Sequence, residues 1–471
     1  KESTRSKGRE SNPHTTTTPT APDRREDNDV SGRPPLLAAP PLVAAYARVT
    51  RDTQIMAMMN GPGASLVDNI SDEESSMGSM TSCESLLDAD LGVSEVNAAG
   101  GHTERVAIVG SGNWGSAIAK IIGRNVTEQE GFGHEVKQWV FPEKVSYKGQ
   151  EECLTTVINR EHENVKYLPG VKLPHNVTAE GDLAEAVRDA TILVFVLPHQ
   201  FLGRVLPTVA KALGLGNEGA VAGSAPTSRR IRAVSLIKGV DNGPEGLMLI
   251  SDTIRAGLCG AVPVSVLMGA NVANEVARDE LCESTLGLAD EDYFACRAEG
   301  LAVSADADSV TLPRLFNRST FRVTVVRNAS ATVELCGALK NVVALGAAFC
   351  DGLGYGGNTK AAIVRTGLAE MKLFAERLRC DGSFDATASS RAFFESCGIG
   401  DLMTTCYGNS RNRKCAEIFA REGGKRSWAQ LEEQELGGMK LQGPSTALEA
   451  FGVIRRRKCA RKFPLITTIY R

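Results

Sequence analysis

Residues 106–120 read VAIVGSGNWGSAIAK, and they decide the fold because a glycine loop stands directly between an apolar run and a helical pattern. Residues 106–109 have the length and branched apolar composition of a buried strand, and residues 117–122 carry apolar side chains at helical spacing. The loop has the pattern G-x-G-x-x-G, with Gly110, Gly112 and Gly115. The first glycine allows a tight turn, the second lets the backbone approach a pyrophosphate, and the third lets the helix pack against the strand. This context predicts a dinucleotide-binding loop rather than a plain glycine turn.

Strand-length apolar runs alternate with helical patterns beyond this loop. The runs are residues 137–141, 191–196, 232–237 and 264–268, and the helical patterns include residues 182–188 and 202–213. Such alternation predicts a mostly parallel sheet covered by helices. After about residue 328 the strand signals fade, and Ala, Leu, Glu and Lys dominate. We therefore predict an α/β protein, with a Rossmann-like dinucleotide-binding domain over residues 103–327 and an all-helical domain over residues 328–471.

Residues 1–102 have a different composition. They contain the Thr/Pro-rich stretches TTTTPTAP and GRPPLLAAPP, and residues 71–92 form the acidic serine tract SDEESSMGSMTSCESLLDADLG. Segments of this kind bury too little apolar area to offset the entropy of ordering, so we expect a disordered or targeting extension. Early acidic residues disfavour an organelle transit peptide, which leaves the cytoplasm as the expected compartment and a plastid or other organelle as the alternative.

Composition limits the classes of partner. The chain has 471 residues, enough for two or more domains, and its net charge of −3 gives no reason to expect nucleic acid or an anionic membrane. Its 12 cysteines are scattered singly, without metal-ligand spacing, which fits a reduced compartment and no metal site. We see no apolar run near the ~18 residues that span a bilayer, so we expect no integral membrane segment.

One lysine stands out in the helical half. If residues 335–368 are helical, Lys340 has only small and apolar neighbours one turn away, namely Cys336, Gly337, Val343 and Ala344. A buried ammonium group is costly unless it has partners or a task, and the alternative is a side chain that reaches solvent. The last of the six histidines is His199. An acid or base supplied by the helical half must therefore be a lysine, carboxylate, tyrosine or cysteine.

Polar and aromatic side chains follow several predicted strands. Lys238 and Asn271 each come just after one, and the carboxyl ends of parallel strands face a common ligand crevice. Phe201 follows another, where it either stacks on the dinucleotide or packs within its loop. The second strand leads into Phe141, Pro142 and Glu143, and Glu143 is a candidate for the ribose contact that an acidic residue makes to NAD.

Glu143 lies about 28 residues past Gly115 rather than the usual ~20, and we attribute the difference to an insertion over residues 125–135. No arginine follows the strand to take a 2′-phosphate, although Lys144 is close, so NAD is favoured over NADP.

Two loops of the helical half also carry candidate residues. Arg411 and Asn412 open a helix after a Gly/Asn/Ser loop, which suits a phosphate group, although a basic surface turn is the alternative. Residues 437–444 read GGMKLQGP, the composition of a flexible lid with Lys440 and Gln442 as reaching groups.

Together these pieces resemble the eukaryotic type of NAD-dependent glycerol-3-phosphate dehydrogenase. The resemblance spans about residues 105–470 and rests on VAIVGSGNWGSAIAK, FVLPHQF, SLIKGVD, GANVANEVA, CGALKNVVALGAAFCDGLGYGGNTKAA, DLMTTCYG, RNRK and KLQGP in that order. It implies that Lys340 exchanges a proton with the carbonyl oxygen of dihydroxyacetone phosphate during hydride transfer. Lys238 would polarise the same oxygen, and Asp401 would tune the pair, since two neighbouring ammonium groups lower one another's pKa.

The resemblance also implies the remaining roles. The implied cofactor-binding residues are Gly110, Gly112, Asn113, Trp114, Gly115, Phe141, Phe201, Ala273, Arg411, Lys440 and Gln442. The implied substrate-binding residues are Lys238, Asn271, Asn341, Thr405, Arg411 and Asn412. The implied partners are a small phosphorylated three-carbon substrate, NAD and a second copy of the chain in a homodimer.

Pro142 stands where the family commonly has an acidic residue, and residues 287–317 are longer and less regular than expected. Two alternatives remain, a related hydroxyacid dehydrogenase with another substrate and a catalytically silent NAD-binding regulator.

Overall fold

A computed structural model describes residues 103–215, 231–243, 246–289, 305–378 and 386–471. The predicted extension over residues 1–102 lies outside these ranges. The described strands are β1 (Glu104–Val109), β2 (Phe132–Trp139), β3 (Lys144–Tyr147), β4 (Gln150–Cys153), β5 (Val177–Glu180), β6 (Ile192–Phe195), β7 (Arg232–Ser235), β8 (Val240–Gly243), β9 (Gly246–Leu249), β10 (Val264–Met268), β11 (Cys282–Gly287) and β12 (Phe321–Val326).

The helices fall into two groups along the chain. Those interspersed with strands are α1 (Asn113–Glu128), α2 (Leu154–Glu161), α3 (Leu183–Val187), α4 (Leu202–Ala212), α5 (Ile250–Gly257), α6 (Ala273–Ala277) and α7 (Ala305–Phe316). Those that follow the last strand are α8 (Ser330–Gly352), α9 (Gly357–Leu378), α10 (Ala386–Phe394), α11 (Asp401–Tyr407), α12 (Arg411–Arg421), α13 (Trp428–Leu436), α14 (Gly443–Arg456) and α15 (Pro464–Tyr470).

Eight strands form one sheet in the order β12-β11-β10-β7-β6-β1-β2-β5. Six neighbouring strands in this order are parallel to one another, namely β10, β7, β6, β1, β2 and β5. Strand β11 runs antiparallel to β10, and β12 is parallel to β11. The strand order reverses between β1 and β6, and ligands of open α/β sheets bind in the crevice at such a point. The predicted Rossmann-like fold is confirmed, and it places the glycine loop beside the end of β6.

Side chains alternate across β1 and build two cores. Val106 and Ile108 pack on the face covered by α1, α2 and α7, whereas Ala107 and Val109 pack on the face covered by α3, α4 and α5. Each fully buried valine or isoleucine of this kind stabilises the fold by roughly 1.5–3 kcal/mol. Packing on both faces of the sheet therefore fixes the position of β1 and of the glycine loop that follows it.

The helical half is built around α8, which is buried along nearly its whole length. This helix is long and apolar enough to cross a bilayer, with a mean hydropathy of 1.5, but 94% of the apolar window is buried inside the protein. Lys340 and Asn341 interrupt the apolar residues of this helix, so the sequence shows no continuous apolar run of that length. Gly337 lets α8 lie close to the sheet, because a Cβ at this position would lie 2.9 Å from Sδ of Met268 on β10.

Several element boundaries differ from the sequence expectation. The residues attributed to an insertion, 125–135, belong mostly to regular elements, because α1 continues to Glu128 and β2 already begins at Phe132. The sequence analysis also missed β5, β11, β12 and the hairpins β3–β4 and β8–β9. Polar residues obscure β11, since Ser284 and Thr285 are buried by protein on both sides of the sheet. Part of the irregular stretch over residues 287–317 lies outside the described residues.

Candidate active site

The glycine loop has the geometry of a phosphate-binding turn. Gly110 has φ +126°, and a Cβ there would lie 2.5 Å from the carbonyl oxygen of Val196, at the end of β6. A Cβ on Gly115 would lie 2.7 Å from the carbonyl oxygen of Gly110, so both positions need glycine. A Cβ on Gly112 would meet nothing within 4 Å, and no side chain caps the N-terminus of α1 at this residue. The open space and uncapped amides fit a pyrophosphate at the start of the helix.

Two buried side chains that the sequence analysis missed hold this loop. Gln138 Nε2 donates to the carbonyl oxygen of Gly110 (2.9 Å), and Asn164 Nδ2 donates to the carbonyl oxygen of Ser111 (2.8 Å). Both residues are fully buried. Gln138 directly precedes the apolar residues Trp139, Val140 and Phe141, and this contrast was the available signal for the first. Asn164 lies in a loop and gave none.

A carboxylate between two lysines forms the centre of the cleft between sheet and helices. Asp401 Oδ2 accepts from Lys238 Nζ at 2.7 Å, and its other oxygen, Oδ1, accepts from Lys340 Nζ. Lys340 Nζ also donates to Thr405 Oγ1 (2.7 Å). The Lys340 side chain is 8% exposed, and that of Lys238 is 23% exposed. Lys340 therefore does not reach out to solvent, and its ammonium group has the partners that burial demands.

Burial lowers the pKa of Lys340 to about 8, with the Lys238 charge acting in the same direction and Asp401 opposing both. The sequence argument attributed the shift chiefly to the neighbouring ammonium group. Desolvation is the larger cause, because α8 surrounds the lysine stem with apolar neighbours. A lysine with this pKa exchanges its proton near neutral pH, where a general acid/base is most effective.

A chain of amide side chains connects the lysine pair to the helices beyond it. Asn412 Nδ2 donates to Asn341 Oδ1 (3.0 Å), and Asn412 Oδ1 accepts from the backbone N–H of Gly443 (2.9 Å). Gln442 Nε2 donates to the carbonyl oxygen of Lys238 (3.0 Å). Asn341, Asn412 and Gln442 thus lie together at the cleft.

The start of α12 also agrees with the sequence analysis. Ser410 is the N-cap, and its Oγ accepts from the backbone N–H of Arg413 (3.2 Å). Arg411 is the first helical residue and is exposed. An exposed guanidinium group beside free helix N-terminal amides has the chemistry of a phosphate contact.

Other predicted site residues have different partners in this structure. Lys440 is 77% exposed and donates to Glu432 Oε2 (2.8 Å) rather than into the cleft. Asn271 Nδ2 donates to the carbonyl oxygen of Glu283 (2.9 Å), so this side chain connects neighbouring strands. Glu143 forms an ion pair with Lys166.

Five more cofactor candidates follow the ends of strands. Phe141 and Phe201 are 65% and 49% exposed. Asn113 Nδ2 donates to the carbonyl oxygen of Tyr167 (2.7 Å), and Trp114 packs against the sheet core. Ala273 begins α6. The two phenylalanines therefore have free faces at the crevice, whereas Asn113 and Trp114 brace the loop.

Cysteine and metal chemistry are not evident in the described part of the chain. Its nine cysteines are free thiols, and its residues include no group of three or more His, Cys, Asp or Glu side chains that could hold a metal ion.

A doubly wound sheet with a phosphate-binding loop, facing a buried lysine–carboxylate pair on a helical domain, defines a nucleotide-dependent dehydrogenase. Family models of the N-terminal and C-terminal parts of NAD-dependent glycerol-3-phosphate dehydrogenase match residues 105–294 and 330–471. The chain belongs to this family, and the resemblance stated from the motifs is confirmed.

Individual relatives agree. Bovine cytoplasmic glycerol-3-phosphate dehydrogenase [NAD(+)] is 49% identical over 368 residues, covering 78% of this chain and 93% of the relative. A human glycerol-3-phosphate dehydrogenase 1-like protein is 48% identical over 366 residues, covering 78% and 92%. The solved glycerol-3-phosphate dehydrogenase of Saccharomyces cerevisiae is 37% identical with a TM-score of 0.65, covering 78% of this chain and 95% of that one.

Proposed function

We propose that this chain interconverts sn-glycerol 3-phosphate and dihydroxyacetone phosphate with NAD, using Lys340 as the general acid/base. The observation that carries the proposal is the buried Lys340–Asp401–Lys238 triad at the sheet's ligand edge. NAD, when bound, accepts or supplies the hydride. The residues of the chain bind the substrate, exclude water and move the proton.

In the reducing direction, the ammonium group of Lys340 donates a proton to the carbonyl oxygen as hydride reaches the carbon. The oxygen becomes a hydroxyl, and the lysine is left as a neutral amine. In the oxidising direction the neutral amine takes the hydroxyl proton. A pKa of about 8 supports both roles, because both forms of the side chain are accessible near neutral pH.

Lys238 and Asp401 have distinct tasks in this scheme. The Lys238 ammonium group polarises the same oxygen and stabilises the negative charge that develops on it. Asp401 holds the two lysines together and keeps Lys340 from losing its proton too readily. Thr405 Oγ1 accepts from Lys340 and donates to the carbonyl oxygen of Asp401 (2.6 Å), which fixes the direction of the Lys340 side chain.

The phosphate end of the substrate is assigned to the start of α12. Arg411 offers a planar guanidinium fork, and Asn412 connects that helix to Asn341 beside the lysines (3.0 Å). Glycine at position 112 leaves room for the NAD pyrophosphate over α1, and Phe141 and Phe201 are available for stacking. Lys440 would have to leave Glu432 in order to reach the cofactor.

The test is NADH oxidation by dihydroxyacetone phosphate, with Lys340→Met against Lys120→Met as a matched control. Lys120 is also a buried lysine, and its Nζ donates to the carbonyl oxygen of Ala277 (2.6 Å) and to Asp279 (2.8 Å), away from the cleft. The Lys340 variant should lose about a thousandfold in kcat, within the range of general acid–base catalysis. The control should keep its rate per folded molecule. Equal rates in the two variants would rule out the mechanism.

The two alternative functions make different demands on this site. A hydroxyacid dehydrogenase for an unphosphorylated substrate has no need of Arg411, so substrate KM would not change in Arg411→Ala. A catalytically silent NAD-binding regulator has no need of a lysine pair, yet Lys238 and Lys340 share one carboxylate here. This arrangement favours the enzyme.

The compartment, the oligomeric state and the domain boundary of the protein are also proposals. We propose the cytoplasm as its compartment, since a relative named cytoplasmic is 49% identical over 78% of this chain, with an organelle as the alternative. We propose a homodimer and a domain boundary at residues 327–328. The last described strand ends at Val326 and α8 begins at Ser330, which supports that boundary.

A further inference from the structure

A dense cluster of basic residues lies at the C-terminal end of α14 and in the residues that follow this helix. It consists of Arg455, Arg456, Arg457, Lys458, Arg461 and Lys462, and all six residues are exposed. Arg455 and Arg456 occupy the last turn of α14, where cations are favourable to the helix dipole. The helix dipole does not explain the two lysines and Arg461, which lie beyond the helix end.

The cluster is short of counter-charges nearby. Residues 450–471 contain no aspartate or glutamate. Within the described ranges, none of Arg455, Arg456, Lys458, Arg461 or Lys462 has a carboxylate at ion-pair distance. Several arginines elsewhere do find one: Arg426 pairs with Glu435 at 3.0 Å, and Arg391 pairs with Glu395 at 3.3 Å. These five cations, crowded together with Arg457, repel one another and attract an anionic ligand.

The same chain carries a segment of opposite charge. Residues 68–95 contain eight carboxylates (Asp68, Asp72, Glu73, Glu74, Glu84, Asp88, Asp90 and Glu95), and no lysine or arginine occurs anywhere in residues 52–104. This acidic tract also contains several serines. The whole chain has a net charge of −3, so the part outside the acidic tract is net positive.

The acidic tract is long enough to reach the basic cluster. A chain spans at most ~3.5 Å per residue, so position 68, about 35 residues before Thr103, can lie up to ~120 Å from it. A folded chain of this size has a radius of gyration of only ~21 Å. Because both segments belong to one molecule, the effective concentration of the acidic tract at the basic cluster is in the millimolar range. A separate nucleic acid or membrane would have to be present at a higher concentration to compete at equal affinity.

We propose that the basic cluster at residues 455–462 is a docking surface for the chain's own acidic tract, residues 68–95. The attraction is electrostatic, so it weakens as salt screens the charges. Phosphorylation of tract serines would add negative charge and strengthen the contact. The contact gives the chain a modification-sensitive surface outside the catalytic cleft.

The test measures cleavage of the full chain after Glu84 by a Glu-specific protease, normalised to a free peptide of the same sequence. The salt concentration runs from ~0.01 M to ~1 M, over which the Debye length falls from ~30 Å to ~3 Å. Wild-type cleavage should be roughly tenfold slower at the low-salt end, as an effective concentration in the millimolar range allows.

The charge-reversal variant Arg455→Glu/Lys458→Glu/Lys462→Glu should lose that protection. The matched control reverses three exposed charges elsewhere, Lys211→Glu/Arg322→Glu/Lys425→Glu, and should keep it. Equal wild-type cleavage at both salt concentrations, or equal loss of protection in the control, would overturn the proposal. So would binding of the full chain to phosphatidylserine vesicles or single-stranded RNA through the basic cluster while Glu84 stays freely cleavable.

Discussion

Replacing Asp401 by asparagine should shift the pH dependence of the reaction, because the negative charge of this carboxylate opposes deprotonation of Lys340. The side chain is 3% exposed and accepts from both lysines. Asp401→Asn is nearly isosteric, so it removes the charge and leaves the space filled. Burial and the Lys238 charge, which both lower the pKa of Lys340, remain.

The size of the shift follows from the interaction lost. A hydrogen bond to a charged group contributes about 1.5–3 kcal/mol, and about 2 kcal/mol corresponds to roughly 1.5 pH units. In the wild type, reduction of dihydroxyacetone phosphate should decline as pH rises through about 8, because the protonated lysine is consumed. In Asp401→Asn that decline should begin roughly 1.5 pH units lower.

The assay is kcat for NADH oxidation across the pH range, with Asp351→Asn as the control. Asp351 is also an ion-paired carboxylate, bound by Lys360 (2.7 Å) and Arg413 (3.1 Å), but it lies away from the lysine triad. Removing one partner of a buried pair destabilises a protein by about 3–5 kcal/mol, so Asp401→Asn should lower Tm, and Asp351→Asn, whose carboxylate is 21% exposed, should lower it less. An unchanged or raised midpoint in Asp401→Asn would refute the electrostatic reasoning.

Three further predictions concern the phosphate end, the glycine loop and the core. Arg411→Ala should raise KM for dihydroxyacetone phosphate by about 10- to 150-fold, the loss of one charge-assisted contact, and an unchanged KM contradicts the assignment. Gly112→Ala should leave Tm unchanged but weaken NADH binding measured by fluorescence titration, because its Cβ enters the open phosphate space, whereas Gly110→Ala should lower Tm through its 2.5 Å clash. Burial raises the pKa of Glu370 to about 7 from the ordinary 4.5, so the bound proton stabilises the folded chain fully below 4.5, and that stabilisation is lost as pH rises through 7. Urea unfolding of Glu370→Ala should lack this loss between pH 4.5 and 7, and an identical pH profile would contradict it.

Local pattern was enough to predict the five central parallel strands of the sheet and its ligand edge. The residues that form the glycine loop lie within ten positions of one another, so a short stretch of sequence is enough to recognise it. Strand β10 was likewise predicted with its observed bounds, Val264–Met268. The loop supports were missed because Gln138 and Asn164 act on backbone atoms 28 and 53 residues away. No periodicity in one sequence reports contacts at that separation.

The same limit explains two buried carboxylates in the helical half. Glu334 of α8 accepts from Ser251 at the start of α5, through Oγ at 2.6 Å, and Glu370 of α9 accepts from the N–H groups of Leu465 (2.7 Å) and Ile466 (2.9 Å) at the start of α15. Each caps a helix that lies far away in sequence, so neither had a local signal. Lys340 was different, because its apolar helical neighbours marked it as unusual before any partner was known.

If Lys340 carries the proton, the pH dependence of kcat in both directions of the wild-type reaction reports the titration of this side chain. With a pKa of about 8 set by burial, glycerol 3-phosphate oxidation should rise with pH through about 8, whereas dihydroxyacetone phosphate reduction should fall through the same value. Neither the rise nor the fall of kcat with pH should remain in Lys340→Met. If kcat changed with pH in the same direction for both reactions, or if the pH dependence persisted in that variant, the assignment would be contradicted.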